Sequence, residues 1–145
     1  MNTWWLVGLM IVGGIAVTVQ GQFMGMMDTR MGSWEGLFIT YAGGGILATL
    51  IMVIAGSGQL RAMSSVPWYM LSTAGALGLV VVGAIGYTAP RLGLAKSLTI
   101  MVASQLMVAL LIDHFGLFGA SVRTLNVPRL GGLVLMVVGV WLVLK

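Results

Sequence analysis

The sequence predicts an all-α membrane protein with five transmembrane helices in a single transmembrane domain over residues 1–145, paired as a ten-helix inverted (antiparallel) homodimer. Three observations predict it. Hydrophobic residues make up 59% of the 145 and charged residues only 7%, against roughly 25% charged in an average soluble domain. The apolar residues gather into five runs, each close to the roughly 20 residues that a helix needs to cross a bilayer. The basic residues divide almost evenly between the two sides that five alternating spans create.

The first run, about 4–27, opens MNTWWLVGLMIVGG and carries Gln20 and Gln22. No basic side chain precedes it and no small-x-small cleavage pattern follows, so it reads as a retained span rather than a signal peptide. The polar stretch DTRMGS (28–33) is expected to end it. The second run, about 34–55, holds Gly43-Gly44-Gly45 and is followed by the loop GSGQLRAMSS (56–65). The third, about 66–89, is expected to stop at Pro90, because a proline ring disfavours helix in the residue before it. The fourth runs over about 92–112 and the fifth over about 127–144. With loops this short, no room is left for a soluble domain.

Orientation is normally set by lysine and arginine in the loops. One side would hold Arg61, Arg123 and Arg129; the other would hold Arg30, Arg91, Lys96 and Lys145. The difference of one charge is cancelled by the N-terminal amine. The plain reading is that a partner or another signal fixes orientation. The sharper reading is dual topology, with two copies inserted in opposite senses and related by a two-fold axis in the membrane plane, the symmetry from which inverted-repeat transporters build their two states.

Without a hydrophobic force between helices in lipid, association depends on small residues that let backbones approach. Ser72, Gly75, Gly83 and Gly86 share one face of the third span, and the fifth begins with Gly131-Gly132; Gly75, Gly83, Gly86, Gly131 and Gly132 are the candidate packing positions. Among polar residues inside spans, Ser97, Ser104 and Gln105 share a face of the fourth helix. Gln20 lies with Gly13, Ala16, Met24 and Met27 on the first, while Gln22 is about 200° away. An intramembrane amide needs a partner: the plain reading is interhelical hydrogen bonding, the functional one a central cavity shared by Gln20 and Gln105.

Asp28, Glu35, Asp113, Arg30 and His114 fall at span ends, where headgroups and water solvate them. No acid lies at mid-span, where a proton-coupled cation exporter needs a carboxylate whose pKa desolvation can raise. One histidine and three dispersed acids supply no metal site within a subunit and no catalytic triad, and no phosphate-cradling motif is present; neither enzyme activity nor a cofactor is expected. A net charge of +4 and a pI near 10.2 would suggest nucleic acid in a soluble protein. Here the seven basic residues stand singly at the ends of apolar runs, so nucleic acid is not an expected partner. Cysteine is absent, which removes disulfide and thiolate chemistry.

The pattern PRLGLAKSLTIMVASQLMVALLIDHFGLFG (90–119), followed by RLGGLVLMVVGV (129–140), resembles the YdcZ-type five-helix proteins of the drug/metabolite transporter superfamily. The shared features are a Pro-x-Leu-Gly start to the fourth helix, a glutamine within it, an Ile-Asp-x-Phe-Gly end and an Arg-x-x-Gly opening of the fifth. Gln20 and the Met-Gly-Ser before the second helix extend the resemblance over nearly the whole chain. The resemblance implies a compact bundle related to small multidrug resistance transporters, acting as a dimer and moving small solutes by alternating access. Two departures stand out. Family members often carry a polar residue where this chain has Met24, and the first-helix glutamate of the multidrug relatives is missing near Gly13-Gly14, which argues against cation/proton antiport by that mechanism.

The combined expectation is a multi-pass inner-membrane transporter, an antiparallel homodimer in the lipid bilayer whose cavity for a small-molecule substrate is lined by Gln20, Gln105, Ser104 and Ser97. Trp34 and Tyr41 are candidates for gating or aromatic contact. A cavity with amides and no fixed charge suits neutral, zwitterionic or weakly polar solutes; an organic anion is held if Arg30 or Arg91 reaches inward. The alternatives are a dual-topology channel with a fixed pore, or a non-transporting partner subunit of a paralogue.

Overall fold

Single residues, rather than loops, separate two pairs of helices in this chain. The structure is a computed structural model that describes residues 3–56 and 63–145. Most of the expected loop between the second and third spans, with Arg61, lies outside the described residues. The described secondary structure is all helical: α1 (Thr3–Met31), α2 (Ser33–Ile54), α3 (Trp68–Leu92), α4 (Leu94–Phe115) and α5 (Val127–Leu144), with a short 3-10 turn at Leu117–Gly119. All five α-helices are long and apolar enough to cross a membrane.

The boundaries of α1, α3 and α4 differ from the sequence expectation. α1 runs on through Asp28-Thr29-Arg30 to Met31 and breaks only at Gly32, whose φ of 105° lies where a side chain is rarely tolerated. Nothing in DTRM forbids helix, so the break waits for the glycine. α3 begins after Pro67 and then contains Pro90 in its last turn, overriding the local preference against helix before proline. In the last turn Pro90 forgoes the backbone bond that an N–H would give to Gly86 O, and its ring packs beside Gly25 of α1, where a Cβ would lie 3.3 Å from Pro90 Cδ. α3 and α4 are then parted by Gly93 alone, at φ 87°. α4 continues to Phe115 before the left-handed cap Gly116, so Asp113 and His114 sit in its last turn rather than beyond it.

The chain forms two compact units, residues 1–91 and 92–145. In the first, the buried residues are Gly21, Met24 and Gly25 of α1, Gly36 and Leu37 of α2, and Ile85, Gly86 and Ala89 of α3. Met24 is the centre of this packing, 2% exposed. Gly86 lies against it, the Thr40 hydroxyl donates to Gly36 O at 2.9 Å, and Met24 Sδ stands 2.8 Å from the same hydroxyl. The N-terminal stretch of α1 and the far end of α2 expose their apolar side chains almost throughout, as helices bounded by lipid do.

In the second unit α4 and α5 run antiparallel. Lys96 near the start of α4 donates to Leu144 O at the end of α5, 3.2 Å away, a cation at the negative end of a helix dipole. At the opposite end the chain returns close to α4: Arg123 N donates to Asp113 O at 2.8 Å and Leu125 N to His114 Nδ1 at 3.4 Å. Asn126 then caps α5 by accepting from Arg129 N at 3.1 Å, with Pro128 in the first turn, a favourable helix start.

Candidate functional site

α2 and α3 enclose a groove within the first unit. α3 contributes Ala76, Leu79, Val80, Gly83, Ala84 and Tyr87, and α2 contributes Ser33, Trp34 and Leu37. The α3 positions follow the i, i+3, i+4 spacing of one helix face, and the small side chains among them leave the space open. The groove has a volume of about 630 Å³, within the range of roughly 300–1,000 Å³ typical of small-molecule sites. Its walls are almost wholly apolar.

An ion pair stands at the end of the groove where Ser33 and Tyr87 lie. Arg91 Nη1 donates to Asp28 Oδ2 at 2.8 Å and to Tyr87 O at 2.6 Å. The guanidinium carbon lies 3.7 Å from the centre of the Tyr87 ring, a cation–π stack. The Ser33 hydroxyl donates to the other carboxylate oxygen of Asp28. Asp28 is thus committed on both oxygens and its side chain is 5% exposed, while Arg91 remains 48% exposed. One acid, one base and one hydroxyl fasten the ends of α1, α3 and α2 together.

The residues expected from sequence to line a cavity are placed as follows. Trp34 borders the groove and is 81% exposed. Tyr41 lies farther along α2, its hydroxyl so near Gly78 that a Cβ there would come within 2.6 Å. Gln20 is exposed on α1, in the first unit; Ser97, Ser104 and Gln105 belong to the second. Ser97 is buried and donates to Gly93 O at 3.0 Å, and Ser104 donates to Met101 O at 2.8 Å, so both hydroxyls are used within their own helix. Gln105 is exposed, and neither it nor Gln20 has a hydrogen-bond partner among the described residues.

Of the candidate packing glycines, Gly86 faces Met24 and Gly83 faces Leu37, whereas Gly75, Gly131 and Gly132 have open space where a Cβ would stand. Among the described residues no cluster of acids and histidine is placed to hold a metal. Sequence reasoning missed the Asp28–Arg91 pair as a unit. The signal was present: with alternating spans, the end of the first helix and the end of the third emerge on the same side.

Comparison with known proteins now adds to this geometry. A model of the family described as "Putative inner membrane exporter, YdcZ" matches residues 5–142. The chain belongs to this family. A curated YdcZ relative, the "Inner membrane protein YdcZ" of Escherichia coli (strain K12), is 39% identical over 92 residues, covering 63% of this chain and 59% of that protein. The match thus spans less than two thirds of the YdcZ relative's length. No solved structure matches the chain. Membership in the YdcZ family, with five membrane-length helices, makes this a multi-pass inner-membrane protein. The YdcZ family is described as one of exporters, transporters rather than enzymes.

Proposed function

We propose that this YdcZ-family chain exports small solutes, working by alternating access as an antiparallel homodimer. The observation that carries the reading is the apolar groove of about 630 Å³ between α2 and α3, a small-molecule-sized space on a chain whose family is described as an exporter. The two amides support the dimer. Gln20 and Gln105 stand exposed on apolar helices with no partner among the described residues, and an amide in hydrocarbon gains stability from a neighbouring helix or a solute. A second copy would bring the neighbouring helix. The even split of basic residues supports insertion in both senses, and inverted pairing gives two equivalent half-cycles. Gln20, Gln105, Ser104, Ser97, Trp34 and Tyr41 are proposed to meet substrate along its path.

The test uses the purified chain in liposomes. Cells expressing the protein are screened for altered tolerance to small toxic solutes, and each solute that responds is carried into counterflow. Saturable counterflow supports the exporter; single-channel currents in a planar bilayer would establish a fixed pore instead. The natural sequence has no cysteine, so single cysteines introduced at the ends of α1 report the dimer directly. Cross-links between opposite ends support antiparallel pairing, and links only between like ends overturn it. Stable dimers of this chain alone argue against dependence on a paralogue.

A further inference from the structure

We infer that the α2–α3 groove is a binding site for an amphiphilic anion, its apolar body along Leu37, Val80 and Ala84 and its anionic head on Arg91. The inference rests on the exporter reading and names the ligand class of this groove. The walls favour an apolar body by burial alone. The charge at the end selects the head. Of the two charged residues there, Asp28 is closed to ligand: both carboxylate oxygens are engaged, by Ser33 and Arg91, and its side chain is 5% exposed. Arg91 is not closed. It is 48% exposed and commits Nη1 to Asp28 and to Tyr87 O, which leaves the remaining donors of its planar fork for a sulfonate, phosphate or carboxylate.

Tyr87 joins the two parts. Its ring forms groove wall and carries the guanidinium at 3.7 Å, so the cation is held at the groove's edge by its own stack and by Asp28. Asp28 acts as a positioning residue: it fixes one nitrogen of Arg91, whose side chain stays 48% exposed. A cationic amphiphile meets the wrong sign at that edge, because the carboxylate that would attract it is covered. The chemistry required is an anionic head on an apolar body, and it has two sources, an anionic lipid of the bilayer or a dissolved organic anion.

The experiment reads equilibrium binding, with no gradient and no transport, so it can fail while counterflow succeeds and the reverse. The full chain in phosphatidylcholine nanodiscs is titrated with anilinonaphthalene sulfonate and with uncharged N-phenylnaphthylamine, against empty discs. The sulfonate is expected to bind about tenfold more tightly than the uncharged probe, the effect of one charge-assisted contact. Arg91→Gln is expected to remove that preference and leave the uncharged probe unchanged, and Arg91→Lys to keep part of it. Ala84→Phe, which leaves the ion pair intact, is expected to weaken both probes.

Should Arg91→Gln fail to fold with Asp28 left unpaired, the double variant Asp28→Asn/Arg91→Gln removes both charges and carries the same expectation. In phosphatidylglycerol discs, Arg91-dependent loss of sulfonate binding assigns the head to lipid; undiminished binding assigns it to a dissolved anion. Equal affinity for the two probes, or sulfonate binding indifferent to Arg91→Gln or to Ala84→Phe, overturns the site.

Discussion

Met24 of α1 packs directly on the backbone of Gly86 in α3: a Cβ at that glycine would stand 3.2 Å from Met24 Cε and 3.3 Å from Met24 Cβ. The terminal methyl can move aside, but the Cβ is fixed to its own helix. Gly86→Ala is therefore expected to be tolerated with a small loss of stability. Gly86→Val forces the helices apart and is expected to cost about 1–3 kcal/mol, the usual scale of overpacking. Thermal unfolding in detergent, followed by size-exclusion chromatography, measures both; a Gly86→Val protein as stable as the parent removes this contact from the core.

The Asp28–Arg91 pair makes a prediction about order rather than size. Arg91→Gln leaves a buried carboxylate with Ser33 as its remaining partner, whereas the double variant Asp28→Asn/Arg91→Gln leaves no charge behind. Removing the half-exposed arginine alone strands the covered carboxylate, whereas removing both charges does not. The melting temperature of the single variant is expected to fall below that of the double one. The reverse order would mean that Asp28 is solvated well enough without its arginine.

Gln105→Ala and Gln20→Ala test the amides. Each is expected to lower counterflow by roughly three- to tenfold, the scale of one intramembrane hydrogen bond, with the cross-linked dimer fraction unchanged. If both variants transport normally while the dimer dissociates, the amides hold the assembly and do not meet the solute.

Topology is checked by reporters fused after Lys145 that are active on opposite faces of the membrane. Activity from both reporters is expected, and two lysines added beside Arg61 are expected to shift the population to one orientation. Signal from one face alone would remove the inverted dimer.

The five helices were readable because each is apolar for a membrane-spanning length, and neither propensity nor packing competes with that signal. Their ends were less readable, for a definite reason. A polar residue such as Asp28 does not stop a helix, and a proline such as Pro90, placed in the last turn, removes one backbone hydrogen bond without ending the helix before it. Trp34, expected as a candidate for gating or aromatic contact, lies at the border of the groove. The groove itself was not legible, because it depends on which face of α3 meets α2: of the stripe Gly75, Gly83 and Gly86, Gly83 borders the groove while Gly86 packs on Met24. Asp28 and Arg91 were each visible at a helix end, but 63 residues apart in sequence, and only the arrangement of α1 beside α3 joins them.

α1 has 29 residues and α5 has 18, which at 1.5 Å per residue gives lengths of about 43 Å and about 27 Å. A hydrocarbon core near 30 Å suits the second without adjustment and is exceeded by the first, so α1 must lean or project where α5 fits. The chain is in that sense a gauge of its membrane: thinner lipid increases the lean or projection of α1, thicker lipid outgrows α5, and acyl-chain length becomes a variable that acts on the protein with no ligand bound.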